Sequence, residues 1–188
     1  MIDVLAAFGL AAATGLNAYL PLLIVGLLGR YTDLVTLAAP WNVLENPWVL
    51  GVLAVLLAIE MTVDKIPAAD TVNDVIQTVV RPVAGAILFA ASANVISDIS
   101  PVLAMACGVL AAGGVHAAKA TVRPVVTATT GGVGNPIVSV TEDVVSGATT
   151  LVAVILPALA AVIVLVVAAV VMWLYLRRRR RKHSISAT

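Results

Sequence analysis

The sequence predicts an all-α, polytopic helical membrane protein with about five transmembrane helices, two short polar-striped helices between them, and an internal repeat as a candidate. Three observations carry this. Of 188 residues, 61% are hydrophobic and 11% charged, and mean hydropathy is +1.08, against roughly 45–50% apolar and about 25% charged in soluble domains. Next, the apolar residues gather in membrane-length runs. Finally, a proline followed by a polar stripe occurs twice, each time shortly before such a run: Pro67, Asp70, Asn73, Asp74, Gln77 and then Pro136, Ser139, Glu142, Asp143, Ser146.

Taken in order, the apolar runs cover residues 4–28, 48–63, 83–97, 102–121 and 148–176. A crossing needs about 20 residues at about 1.5 Å each, so the first, fourth and fifth suffice alone. The second and third are short. They reach if Glu60 and Asp64 extend the second helix into a protected interior, and if Arg81 or Asp98 snorkels at the ends of the third. Met1-Ile2-Asp3 carries no positive charge ahead of the first run, so the reading is a retained helix rather than a cleaved signal peptide. Tyr31, Trp41 and Trp48, in and beside the connection 30–47, suit the headgroup belt. Residues 127–134, Thr-Ala-Thr-Thr-Gly-Gly-Val-Gly, read as a loop and lack the Gly-Lys-Ser/Thr ending of a phosphate cradle.

Net charge is +1, yet six of the eleven basic residues stand in 177–182. The expectation is one integral membrane domain, 1–176, and a basic cytoplasmic tail, 177–188, in the cell (inner or plasma) membrane. Five crossings then put the N-terminus and both striped segments on the outer side. Position after an apolar helix makes the basic run a topology or anionic-lipid signal rather than a nucleic-acid site. A single cysteine, Cys107, excludes an intrachain disulfide and a thiolate metal cluster, and two histidines are too few for a histidine-rich metal site. No nucleophile, metal or nucleotide signature appears, so neither enzymatic activity nor a cofactor is expected.

The stripe residues follow i, i+3, i+4, i+7 spacing, which aligns them on one helix face with valines and isoleucines elsewhere. Asn73-Asp74-Val75-Ile76-Gln77 matches Glu142-Asp143-Val144-Val145-Ser146 type by type, pairing two parallel units. A rival alignment sets 13–18 against 112–117 and makes the first and fourth spans antiparallel. The stripes either line a shared aqueous cavity or lie at the interface with the polar face in water. Glu60 and Asp64 share a face, where ionised carboxylates must meet protein, water or a cation, unless Asp64 and Lys65 mark the membrane boundary. His116, Lys119 and Arg123 form a basic strip. It either opposes the acidic one, with Glu60 and Lys119 paired, or snorkels to the interface. Asn17, with Gly15 and Pro21, interrupts the first run, and Pro67 and Pro136 are further helix-break candidates.

The string Thr14-Gly15-Leu16-Asn17-Ala18-Tyr19-Leu20-Pro21-Leu22-Leu23 resembles the opening of bacterial proteins grouped as domain of unknown function 4126. That resemblance implies a multi-pass membrane protein and no particular activity, and it extends through the Pro67 region towards Pro157. Glu60-Met61-Thr62-Val63-Asp64-Lys65 is similar to the Glu-x-Gly-Asp-Lys-Thr signature of small cation/proton exchangers, with one residue more between the acids and no glycine. The leading expectation is a small transporter or channel-like protein for an unidentified ion or small polar solute, with proton linkage as one form. Its site candidates are Glu60, Asp64, Asp70, Asn73, Asp74, Gln77, His116, Lys119, Glu142 and Asp143. Gly/Ala-rich faces favour a homo-oligomer in the bilayer. The competing class is a non-transporting scaffold, assembly or lipid-interacting protein, and a membrane enzyme acting on lipids is third.

Overall fold

The computed structural model describes residues 2–64, 67–93 and 100–156, with 166, 169–170 and 172–173 beyond them. Every regular element among them is helical: α1 (Ile2–Thr14), α2 (Tyr19–Tyr31), a 3-10 turn (Trp41–Glu45), α3 (Pro47–Val63), α4 (Pro67–Ala93), α5 (Pro101–Thr130) and α6 (Asn135–Ile155). Three helices are long and apolar enough to cross a membrane, at Val72–Ser92, Pro101–Thr130 and Asn135–Ile155, while α1, α2 and α3 are shorter. The expectation of five such spans is not met within the described residues. Much of the fifth run, all of the tail, Lys65 and Asp98 lie outside them.

Three boundaries differ from the sequence reading for physical reasons. The first apolar run is not one span, because the helix opens after Thr14 and restarts at Tyr19. Pro21 stands in the first turn of α2, where its missing N–H leaves no helical bond unmade. In contrast, the striped segments are not separate short helices. The first merges with the third apolar run into α4, 27 residues and so about 40 Å long, with Pro82 accommodated inside; the second continues into α6. The Thr/Gly segment is also divided. Its threonines complete α5, which Gly131 ends at φ 61°, the left-handed conformation glycine adopts without a Cβ clash.

Side-chain contacts give the helix directions. Thr14 meets the Arg81 carbonyl and Phe8 stacks edge-on against Phe89, so α1 and α4 are antiparallel. Thr78 bonds His116 while Gly85 packs on Gly108, so α4 and α5 are antiparallel too. Thr127 bonds Asn135, and Arg123 bonds Glu142, closing an α5–α6 hairpin. Gly26 lies on the Leu44 carbonyl and Leu50, and Ala18 lies on Glu60, so α2 and α3 run in opposite directions. Trp41, from the turn that covers α2, packs on the cluster of Ala7, Ala11, Phe89, Ala90 and Ala104. The far ends of α1 and α2 therefore lie at the same end of the bundle, and the break between them is the tip of a folded-back pair. By the same contacts α1 and α5 run parallel, unlike the rival alignment.

Polarity is turned inside out relative to a soluble bundle. Gln77 and Arg81 of α4 are 1% and 0% exposed, whereas Val72, Val75, Ile76, Val79 and Val83 of that helix face outward. On α6, Ser139, Asp143, Ser146 and Thr150 are buried and Ile137, Val140 and Val144 are exposed. The two stripes point into the bundle. Their apolar sides cover its surface, as hydrocarbon solvent requires.

Helices α1, α4 and α5 meet through small residues. A Cβ on Gly85 would stand 2.5 Å from that of Ala112, and one on Gly108 would overlap the Gly85 carbonyl. Such approach is how apolar helices gain packing where lipid offers no hydrophobic drive. Gly108→Val is expected to lower the stability of purified protein in detergent by about 1–3 kcal/mol through overpacking. Gly114→Ala, which meets nothing within 4 Å, should leave the unfolding midpoint unchanged or higher.

Candidate functional site

Breaking a helix inside a bundle frees backbone groups that must find partners, and the α1–α2 break finds them on α3, α5 and α6. Ser146 of α6 donates to the Ala13 carbonyl at 2.9 Å. Lys119 of α5 donates to the Leu16 carbonyl at 3.3 Å. The Ala18 N–H reaches Glu60 Oε1 of α3 at 3.5 Å. The Thr14 hydroxyl donates to the Ala11 carbonyl of its own helix at 2.7 Å and lies 3.4 Å from the Arg81 carbonyl of α4. Asn17 serves both sides: its Oδ1 accepts from the N–H groups of Tyr19 and Leu20, at 3.1 and 2.9 Å, and its Nδ2 donates to Asp143 Oδ1 at 2.8 Å. A cation thus meets the carbonyl end of α1 and a carboxylate the amide end of α2, the polarity that helix dipoles favour.

Around the break lies a buried network of charges. Glu60 Oε1 is 3.0 Å from Arg81 NH2, and both side chains are almost fully buried. Asp64 takes Lys119 at 3.4 Å, Arg123 at 3.3 Å and Arg81 at 3.9 Å. Glu142 takes Lys119 at 2.9 Å and Arg123 at 3.1 Å, and Asp74 lies 4.0 Å from Arg123. Asn73 donates to Asp64 at 2.7 Å. Geometry decides the tautomer of His116 within this network. Arg81 NH1 is 3.0 Å from His116 Nδ1, and a guanidinium can only donate. Nδ1 therefore accepts, and Nε2–H donates to Thr78 Oγ1 at 3.2 Å, whose own proton goes to the Asp74 carbonyl at 2.8 Å.

Of the residues singled out from sequence, Asn17, Glu60, Asp64, Asn73, Asp74, His116, Lys119, Glu142 and Asp143 gather here. Gln77 is buried one turn from Arg81. The side chain of Asp70 lies outside the described residues. Pro67 and Pro136 stand at the starts of α4 and α6, and Pro21 in the first turn of α2.

Three readings change. Glu60 pairs with Arg81 instead of Lys119, because Lys119 lies level with Asp64, one turn further along α3. Arg81 does not snorkel; it is fully buried between two carboxylates and a histidine. Lys119 and Arg123 are likewise interior, about 5% exposed. The signal for Arg81 was its i+4 position from Gln77, one more turn of the first stripe. A second signal was the string Val80-Arg81-Pro82-Val83, which recurs as Val122-Arg123-Pro124-Val125.

Among the described residues no three His, Cys, Asp or Glu side chains gather as ligands for a metal ion. Glu60 Oε2 and Gln77 Oε1 accept no hydrogen bond there and Arg81 Nε donates none, a mixed set of the kind a polar guest or water satisfies.

Removing one partner from a buried ion pair strands the other, at a cost of about 3–5 kcal/mol. Arg81→Met is therefore expected to destabilise the detergent-solubilised protein by about that amount, and adding Glu60→Gln should restore part of the loss. Thermal unfolding of the two single variants and the double variant measures the coupling.

A family model described as Domain of unknown function (DUF4126) matches residues 4–177. No curated protein and no solved structure matches the chain.

Proposed function

For a chain that belongs to the DUF4126 family, we propose that it is a membrane protein that moves an ion or small polar solute past the α1–α2 break, with proton linkage as one form of the activity. One observation supports this above the others. Charged side chains from α3, α4, α5 and α6 converge on an opened helix, inside a bundle whose outer faces are valine, isoleucine and leucine. Charge inside an apolar-walled protein is costly to keep. Discontinuous helices with their ends aimed at ionic groups are a recurrent way of building a transport site. The proposal includes a membrane location with the basic tail on the cytoplasmic side, and a homo-oligomer.

A second reading, a non-transporting scaffold, assembly or lipid-interacting protein, draws on the ion pairs themselves. Lys119 and Arg123 bridge carboxylates of α3 and α6 at 2.9–3.4 Å, which would also serve to fasten a static bundle.

Flux separates the two. Purified protein in liposomes, given gradients of H+, Na+, K+ and chloride in turn, is expected to dissipate at least one faster than empty vesicles. Glu60→Gln and Asp74→Asn should reduce that rate at least tenfold while still inserting. Wild-type protein indistinguishable from empty vesicles for all four probes favours the scaffold, and unchanged flux in both variants removes those residues from the pathway.

A further inference from the structure

Resting on the transport reading and narrowing it, we propose that Asp143 and Ser139 of α6 form a binding site for a small cation, an alkali ion or a proton, beside the α1–α2 break. Asp143 is 7% exposed and Ser139 is 0% exposed. One carboxylate oxygen of Asp143, Oδ1, accepts from Asn17 Nδ2 at 2.8 Å. The other, Oδ2, has no partner, and neither has Ser139 Oγ. The two residues are four apart on one helix face, about 5–6 Å between Cβ atoms, which is close enough for one small guest to touch both oxygens.

Charge points to the sign of that guest. The surrounding groups are Glu142 on the same helix, Lys119 and Arg123 from α5, Asp64 from α3 and the uncharged Asn17 from the break. Lys119 and Arg123 are engaged by Asp64 and Glu142, Arg123 also approaches Asp74, and Arg81 is held by Glu60. Asp143 has no cationic side chain within ion-pair distance among the described residues. Among the described residues carboxylates outnumber cations by two in this network, with Glu60, Asp64, Asp74, Glu142 and Asp143 against Arg81, Lys119 and Arg123. A buried carboxylate with one satisfied oxygen, a bare hydroxyl at the next turn and a local excess of negative charge suits a hard cation with oxygen ligands. An anion would meet cations that already have partners.

The test is cation-linked stability of the full-length protein in nanodiscs, with wild type, Asp143→Asn and Ser139→Ala compared. Asparagine keeps the shape and can still meet Asn17, and alanine at 139 removes a single hydroxyl, so at least one variant should remain folded. Na+, K+ or Li+ replacing N-methyl-D-glucamine at constant ionic strength and pH 8 should raise the wild-type unfolding midpoint by several degrees, since a ligand binding only the folded state stabilises it. The shift should vanish in Asp143→Asn and shrink in Ser139→Ala. If alkali ions do nothing but lowering the pH from 8 to 6 without them raises the wild-type midpoint and not that of Asp143→Asn, the guest is a proton. A midpoint indifferent to both, or equal responses in wild type and Asp143→Asn, overturns the proposal. Cation-linked stability without flux in liposomes would retain this site and reject transport; flux at the wild-type rate in Asp143→Asn together with no cation-linked shift in wild type would reject this site and retain transport.

Discussion

An open helix in a bundle with apolar outer faces has nowhere to hide its backbone, and the rest of this structure follows from how the α1–α2 break is satisfied. The carbonyls of Ala13 and Leu16, the N–H of Ala18 and the side-chain N–H of Asn17 are met by Ser146, Lys119, Glu60 and Asp143. Three of those four partners are charged. Each in turn needs compensation away from bulk water, and this draws in Arg81, Arg123, Asp64 and Glu142. The glycines belong to the same requirement. Gly15 lets the break close on the Ala112 carbonyl and Val115, and Gly85 with Gly108 brings α4 against α5 near enough for Arg81 to meet His116.

Because these demands are shared among all six helices, the network ties local chemistry to global packing. Thr78, His116, Arg81 and Glu60 form a chain of contacts from α4 through α5 back to α3. Lys119 and Arg123 bind α3 to α6. A change in charge at one member therefore shifts the balance at helices it does not touch. That is the physical basis on which a bound ion could alter the arrangement of the bundle, and equally the basis on which a static bundle could be held in register.

Much of this was legible in the residues, and the failures share a cause. The all-helical class, the two polar stripes and the interruption near Asn17 follow from hydropathy, period and composition, and the family assignment agrees with the string around Asn17. Span boundaries did not follow. The third run reads as starting at Val83 with Arg81 at its end, but α4 runs through Pro82; the arginine, read as an interfacial group, is the centre of the network. The first run looked like one crossing because its hydropathy is continuous, and folding back at Gly15 depends on a tertiary contact with α5 that no local pattern carries. The Glu60 pairing was off by one helical turn, since axial register between distant helices is set by packing. Amphipathic period located the stripes; only the assembled bundle says that the polar side is the inner one.

The inward placement of both stripes is the central claim, and spin-label accessibility tests it most directly. Single labels placed in lipid bilayers at residues 72–83 of α4 and 137–146 of α6, on a Cys107→Ala background, are read by collision with lipid-soluble oxygen and with a water-soluble nickel complex. The account predicts oxygen maxima at Val75, Val79, Val140 and Val144, with a helical period, and low nickel collision rates at those same positions. Nickel maxima at these four valines, with oxygen maxima displaced to Gln77 and Asp143, would contradict it.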